Sequence, residues 1–193
     1  MNTIALVGNP NSGKTTLFNA LTGANQHVGN WPGVTVEKKE GQVIHNNIKL
    51  NIVDLPGTYS LGAYSEDEVV ARDFILKDKP DIVINVIDVT NIERGMYLTT
   101  QLLEIGTKIV LALNMMDEAK AKSIEIDIKK LSKNLGVPVI ATIASKKKGL
   151  DELLETSINY IDSISTQKTI KSYGENIEKE IQSILKVLDE SKF

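Results

Sequence analysis

Cysteine is absent from the sequence. That excludes a disulfide framework, a thiolate zinc site and a cysteine nucleophile together. Histidine is nearly absent: His27 and His45 are the only two, and they stand far apart, so no histidine-based metal constellation is expected. No apolar run approaches the roughly 18 residues of a membrane span. The N-terminus also lacks a basic region followed by an apolar stretch. The pattern therefore predicts neither a span nor a secretory signal, and a soluble cytosolic chain. Charge of one sign is missing as well: 25 acids against 22 bases give a net charge of −3. With a pI near 5.5, broad binding to nucleic acid is not expected. What remains is ordinary globular composition, 41% hydrophobic and 24% charged. At 193 residues it suits one domain plus an appendage.

Apolar runs and helical spacing alternate along the chain. Short apolar segments occur at Thr3–Val7, Lys49–Asp54, Asp81–Asp88, Lys108–Asn114 and Val137–Ala141. They lack strict polar alternation, which suits strands covered on both faces of a parallel sheet. Helical patterns separate most of them, near Lys14–Leu21, Glu66–Leu76, Ile92–Ile105, Ile124–Leu135 and Leu150–Ile161. Two strands, Thr35–Ile44 and Ile48–Asp54, have only His45-Asn46-Asn47 between them, so a hairpin should place one antiparallel strand at the sheet edge. The expected class is α/β, doubly wound, with six strands and helices on both faces. Ser163–Ser172 is polar and predicts a linker. Ile177, Ile181, Ile184, Leu185 and Leu188 then mark an extra amphipathic C-terminal helix, which suggests a fragment of a longer protein.

The chemistry is concentrated in three loops. Gly8-Asn9-Pro10-Asn11-Ser12-Gly13-Lys14-Thr15 fits G-x-x-x-x-G-K-[ST] between a predicted strand and a predicted helix. Its glycines let successive N–H groups turn toward phosphate oxygens, and the helix start adds its positive dipole end. Lys14 is expected to reach the β- and γ-phosphates, Thr15 to ligate Mg²⁺, and Thr16 to add contacts in the same helical turn. Asp54-Leu55-Pro56-Gly57 fits D-x-x-G. Asp54 there holds Mg²⁺ through water, and the Gly57 N–H meets the γ-phosphate. Alone, that tetrapeptide equally describes an ordinary turn. Asn114-Met115-Met116-Asp117 closes the fifth predicted strand. A carboxylate at 117 can accept from the N1 and the exocyclic amine of guanine, a pattern that adenine reverses. Met115 stands where N-K-x-D has lysine, and its thioether chain can pack on the base without a charge. Taken alone, Asp117 could instead be a helix cap. Ala144-Ser145-Lys146 follows the sixth strand, where a backbone N–H would meet the guanine carbonyl.

These motifs in this order resemble the GTP-binding domain of translation-factor-like GTPases, which implies the P-loop GTPase fold. A narrower resemblance rests on Gly29-Asn30-Trp31-Pro32-Gly33-Val34-Thr35-Val36-Glu37, on Asp54-Leu55-Pro56-Gly57-Thr58-Tyr59-Ser60-Leu61 and on Asn114-Met115-Met116-Asp117. They are similar to the cytosolic N-terminal domain of FeoB ferrous iron transporters. The resemblance implies that Thr35, with Gly33 and Val34, forms a first switch closing over Mg²⁺ and the γ-phosphate. It implies switches near Ala24–Val36 and Leu55–Asp67. It also implies a nucleotide-binding unit at 1–163 and, at 164–193, a linker and the start of a truncated helical domain. That domain would couple the GTPase to a permease in the cell (inner) membrane that is absent here; a homodimer or homotrimer is compatible with it. Ala144-Ser145 inverts the family's usual Ser-Ala.

Hydrolysis lacks two common aids. The glutamine that often follows D-x-x-G is Thr58, and neither the phosphate loop nor the first switch contains arginine. Asn11 resembles the asparagine that ligates potassium in cation-activated GTPases, so K⁺ is expected in place of an arginine; alternatively Asn11 bonds its own backbone. Lys14, Thr35, Gly57 and Asn11 are thus the expected catalytic set, with Thr15, Thr35, Asp54 and Asn11 at the metals. Ser65 followed by Glu68 predicts a capping box rather than a general base. Trp31 is expected on a mobile, partly exposed loop, either shielding nucleotide or docking the membrane part. Two other functions fit: a nucleotide-dependent binding switch with negligible hydrolysis, and a ribosome-assembly GTPase, against which the acidic pI counts.

Overall fold

Strand β1 (Asn2–Gly8) shows why the apolar runs are unbroken. Ala5 and Val7 face one buried cluster while Ile4 and Leu6 face another, and all four are fully buried. A strand sandwiched in this way has no solvent side to mark with polar residues. The computed structural model describes residues 1–163 and 174–190. The predicted linker falls almost wholly outside the described residues.

The chain continues through α1 (Lys14–Thr22), β2 (Gln26–Asn30), β3 (Glu37–His45), β4 (Ile48–Asp54) and α2 (Glu66–Asp73), which runs into a π-helical turn at Phe74–Asp78. Then follow β5 (Ile82–Asp88), α3 (Ile92–Glu104), β6 (Ile109–Asn114), α4 (Met116–Ala121), α5 (Ile128–Leu135), β7 (Val139–Ala141), α6 (Leu150–Asp162) and α7 (Glu175–Glu190). The sheet order is β2-β3-β4-β1-β5-β6-β7. Strands β4, β1, β5, β6 and β7 are parallel, and β3 is antiparallel to both of its neighbours. Helices α1 and α6 cover one face, and α2, α3 and α5 the other. This is the α/β P-loop GTPase fold.

The sheet has seven strands where the pattern predicts six. The additional strand is β2, Gln26-His27-Val28-Gly29-Asn30, which has no apolar signature because it sits at the edge, held by backbone pairing to β3 and by the Gln26 amide donating to Asn19, Thr22 and Gly23. Asn46 and Asn47 take φ of 49° and 63°, the paired left-handed conformations of a two-residue hairpin, as expected between β3 and β4. The predicted helix at Ile124–Leu135 begins later, at Ile128, where Asp127 caps the Lys130 N–H at 2.9 Å. Ser65 caps α2 through the Glu68 N–H. The capping box is half formed, because Glu68 reaches instead to the Tyr64 N–H and the Ser60 hydroxyl.

Gly149, before α6, has φ of 76°, and a Cβ there would stand 2.1 Å from the Ala141 carbonyl oxygen. Gly149→Ala therefore loses about 2 kcal/mol or more of stability, read as a lower urea midpoint at unchanged slope.

Candidate functional site

The loop between β1 and α1 lies at the carboxyl ends of the parallel strands, where open α/β sheets gather their ligand sites. It is packed too tightly to admit side chains at its glycines. A Cβ on Gly8 would stand 2.4 Å from the Val86 carbonyl oxygen, and one on Gly13 only 2.2 Å from Asn114 Nδ2. Asn11 and Gly13 both have positive φ, 66° and 82°, so the backbone curls back on itself. Helix α1 starts at Gly13 with no side-chain cap and no acid in its first turn. Its first N–H groups have no intrahelical acceptor, which makes an anion site. Ser12 Oγ and Asn9 Oδ1 are buried in the same loop without partners in the protein.

Cationic and anionic groups converge beneath this loop. Lys14 Nζ donates to Asp54 Oδ1 in a buried ion pair, and Thr15 Oγ1 donates to Asp54 Oδ2 at 3.3 Å. Asp54 ends β4, whose pairing with β1 fixes its height beside the loop. The Leu55 N–H donates to the Leu6 carbonyl and the Thr58 N–H to the Gly8 carbonyl. These bonds bring Gly57 against Pro10. A cavity of about 580 Å³ is lined by Asn9, Pro10, Asn11, Lys14, Thr15, Thr16 and, from elsewhere, Gly57, Asp67 and Met115. Asp54, Leu55 and Pro56 line a neighbouring cavity of about 280 Å³ that shares Lys14, Thr15, Gly57 and Asp67.

The far end of the site is organised by Asn114. Its Nδ2 donates to the Ser12 carbonyl at 3.0 Å, and its Oδ1 accepts the Ala144 N–H at 2.9 Å. Met115 follows in the left-handed region (φ 64°), which turns the chain into α4 and sets Asp117 in its first turn. Lys146 Nζ donates to Asp117 Oδ2 at 2.7 Å. That hydrogen bond, outweighing partial desolvation, holds the Asp117 carboxyl below the ordinary range, so it is an ionised acceptor throughout neutral pH.

Not every predicted residue arrives. Thr35 is exposed and Gly33 likewise, outside both cavities, while Val34 and Val36 pack against the core. Ser145 is exposed. Thr58 is buried, and its hydroxyl donates to the Ser60 carbonyl at 2.6 Å, so it is occupied with the backbone. Trp31 overturns the expectation of an exposed loop: it is 8% exposed, packed edge-on to Phe74 with ring centroids 5.3 Å apart. Its partner is 43 positions away, in the turn after α2, so no local pattern marks the contact. Asp67, at the end of the expected second switch and in the first turn of α2, is not among the expected site residues, yet it lines both cavities. Arg94, on α3, stacks over the Tyr59 ring at 3.8 Å and brings an arginine beside the second switch.

The family model described as ferrous iron transport protein B (FeoB_N) matches residues 2–157. The chain belongs to the FeoB family. It is 46% identical over 190 residues to the Fe(2+) transporter FeoB of Escherichia coli K12, covering 96% of this chain and 24% of that protein. It is 45% identical over 186 residues to a FeoA/FeoB fusion protein of Porphyromonas gingivalis, covering 94% of this chain and 22% of the fusion. The chain thus spans about a quarter of the length of these FeoB relatives. The crystal structure of the T. maritima FeoB cytosolic domain in its GMPPNP form superposes with a TM-score of 0.94 at 47% identity, over 100% of this chain and 76% of that one. A GDP form of the same domain superposes with a TM-score of 0.93 at 47% identity, over 100% of this chain and 75% of that one.

Proposed function

We propose that this FeoB domain binds GTP with Mg²⁺, hydrolyses it slowly, and switches contacts with a membrane permease elsewhere in the full-length transporter to govern Fe²⁺ uptake. The observation that carries this is the convergence of Lys14, Thr15 and Asp54 beneath the uncapped start of α1, with an ionised Asp117 two residues beyond Met115, which lines the same cavity. In this reading the loop N–H groups of residues 9–16 cradle the phosphates. Lys14 exchanges Asp54 for a phosphate oxygen, and Asp117 reads guanine while Met115 covers it. The Ala144 and Ser145 backbone closes the base side, with Lys146 steadying Asp117. Thr15 and Asp54 offer hard oxygen donors, the chemistry Mg²⁺ prefers, and are the residues that would hold it. Bound there, Mg²⁺ would supply charge neutralisation for the phosphate oxygens. Thr35 would join them when the first switch closes. The GDP and GMPPNP forms of the T. maritima relative support the guanine assignment. The division at 163 rests on α6 ending at Asp162.

Potassium is the expected companion of the reaction. Asn11 reaches the cavity from a left-handed backbone position, and the transition-state charge has no arginine in the phosphate loop to meet it. K⁺ should stimulate hydrolysis over Na⁺ at equal ionic strength by about tenfold or more, near 1.4 kcal/mol of barrier, with ATP inert. Asn11→Ala should abolish that stimulation and keep GDP affinity. Equal rates in both salts for the unaltered protein would dismiss the potassium assignment.

A second reading, a binding switch with negligible intrinsic hydrolysis, is favoured by the Thr58 hydroxyl being engaged with the Ser60 carbonyl. Single-turnover hydrolysis faster than nucleotide release rules it out.

A further inference from the structure

Trp31 is the one tryptophan in the chain, and it stands between β2 and β3 in the expected first switch. Its indole is buried against Phe74, which directly follows the second-switch helix α2, and Lys38 Nζ lies 4.9 Å above the ring. The backbone of Trp31 also braces the loop that carries Thr35. Its N–H donates to the Val36 carbonyl at 2.9 Å, and its carbonyl accepts the Val34 N–H at 3.3 Å. Residues 31–36 are therefore one closed loop whose ends move together. Val34 and Val36 pack against the core, and Thr35 is turned to solvent.

One atom in this seat is out of place. Trp31 Nε1–H is buried and has no acceptor. Indole N–H groups find a partner when buried, because an unmade hydrogen bond leaves the full desolvation cost standing. The seat is thus held by apolar and ring contacts and opposed by one polar atom. Such a residue can be released by a modest competing interaction.

We infer that Trp31 is a positioning residue for Thr35: seated on Phe74 it holds Thr35 out of the cavity that Val36 already lines beside Lys14 and Asp54, and a nucleoside triphosphate unseats it. This rests on the proposed GTPase reading. Thr35 cannot swing toward Lys14 and Asp54 with its loop braced unless residue 31 travels with it, so the γ-phosphate contact is made against the Trp31–Phe74 contact. A diphosphate offers no γ-phosphate and leaves the seat filled. The same contact ties the first switch to the end of α2, so the two switches respond as a pair.

The single tryptophan makes the test direct. With Mg²⁺ present, GMPPNP should shift the emission of the unaltered protein to the red and raise its quenching by acrylamide, while GDP should change neither. Binding of each nucleotide is established separately, by displacement of a fluorescent GDP analogue. Trp31→Ala should raise the ratio of GMPPNP to GDP affinity by about fivefold, since nothing then has to be unseated. Phe74→Leu should raise it in the same direction while keeping an apolar side chain in the core. Unchanged emission with GMPPNP demonstrably bound overturns the inference and leaves the GTPase reading standing. An unaltered or lowered affinity ratio in both variants overturns it equally. Failure of the unaltered protein to bind either nucleotide overturns both.

Discussion

Lys14→Ala is expected to lose nucleotide binding and, less obviously, a large part of the fold's stability. Lys14 and Asp54 are an ion pair whose side chains are 8% and 5% exposed. Removing the ammonium leaves a carboxylate among β1, β4 and the phosphate loop, with only the Thr15 hydroxyl at 3.3 Å to satisfy it. Breaking a buried pair from one side costs about 3 kcal/mol or more, because the remaining charge loses its cation and keeps only a weak partner. For a chain of this size that lowers the melting temperature by about 6–12 °C. The pair itself contributes far less than this to stability, since its own desolvation offsets most of its attraction. Lys14→Ala with Asp54→Ala should accordingly regain most of the lost melting temperature and none of the GTP hydrolysis. Calorimetry of the two variants beside a turnover assay separates the two roles. A single variant as stable as the unaltered protein would mean that Asp54 is solvated.

Asp117→Asn should change which base is accepted. The carboxylate offers two acceptors, which match the N1–H and the exocyclic amine of guanine. An amide offers one acceptor and one donor, which match the N1–H and the 2-oxo group of xanthine. Affinity for GTP should fall by about 100-fold or more, and XTP should be bound in its place, because a mismatched edge leaves buried polar groups unpaired. Lys146 keeps its position on the turn after β7 and loses its anionic partner, so some general weakening accompanies the switch. Competition between GTP and XTP against a fluorescent guanine nucleotide measures it. Equal losses for both bases would mean that Asp117 serves only the fold.

The residues that the sequence made legible are those whose chemistry needs a fixed local spacing. The phosphate loop is eight consecutive residues, and its glycines are demanded by backbone contacts as close as the one between Gly8 and Val86. Strands β1, β5 and β6 are visible because burial on both faces forces unbroken apolar runs. Strand β2 carries no such run, since it pairs at the edge through its backbone and leaves Val28 exposed. Trp31 escaped for the opposite reason: its burial depends on Phe74, and nothing local to Asn30-Trp31-Pro32 encodes that meeting. Asp67 was hidden by having a sufficient local explanation, an acid in the first turn of a helix, while the fold also turned it toward the cavity.

The Asn114 side chain grips the Ser12 carbonyl with its amide nitrogen and the Ala144 N–H with its amide oxygen. One amide group is thus a shared fastener between the loop proposed to take phosphate and the turn after β7 proposed to close on the base. Errors at one end must then be felt at the other. A nucleotide with the wrong base is disadvantaged first by its own unmatched edge, and again because a displaced Ala144 loosens the phosphate loop through Asn114. Substrate discrimination should therefore appear in turnover as well as in affinity, and damage at Ser12 and at Ala144 should combine non-additively.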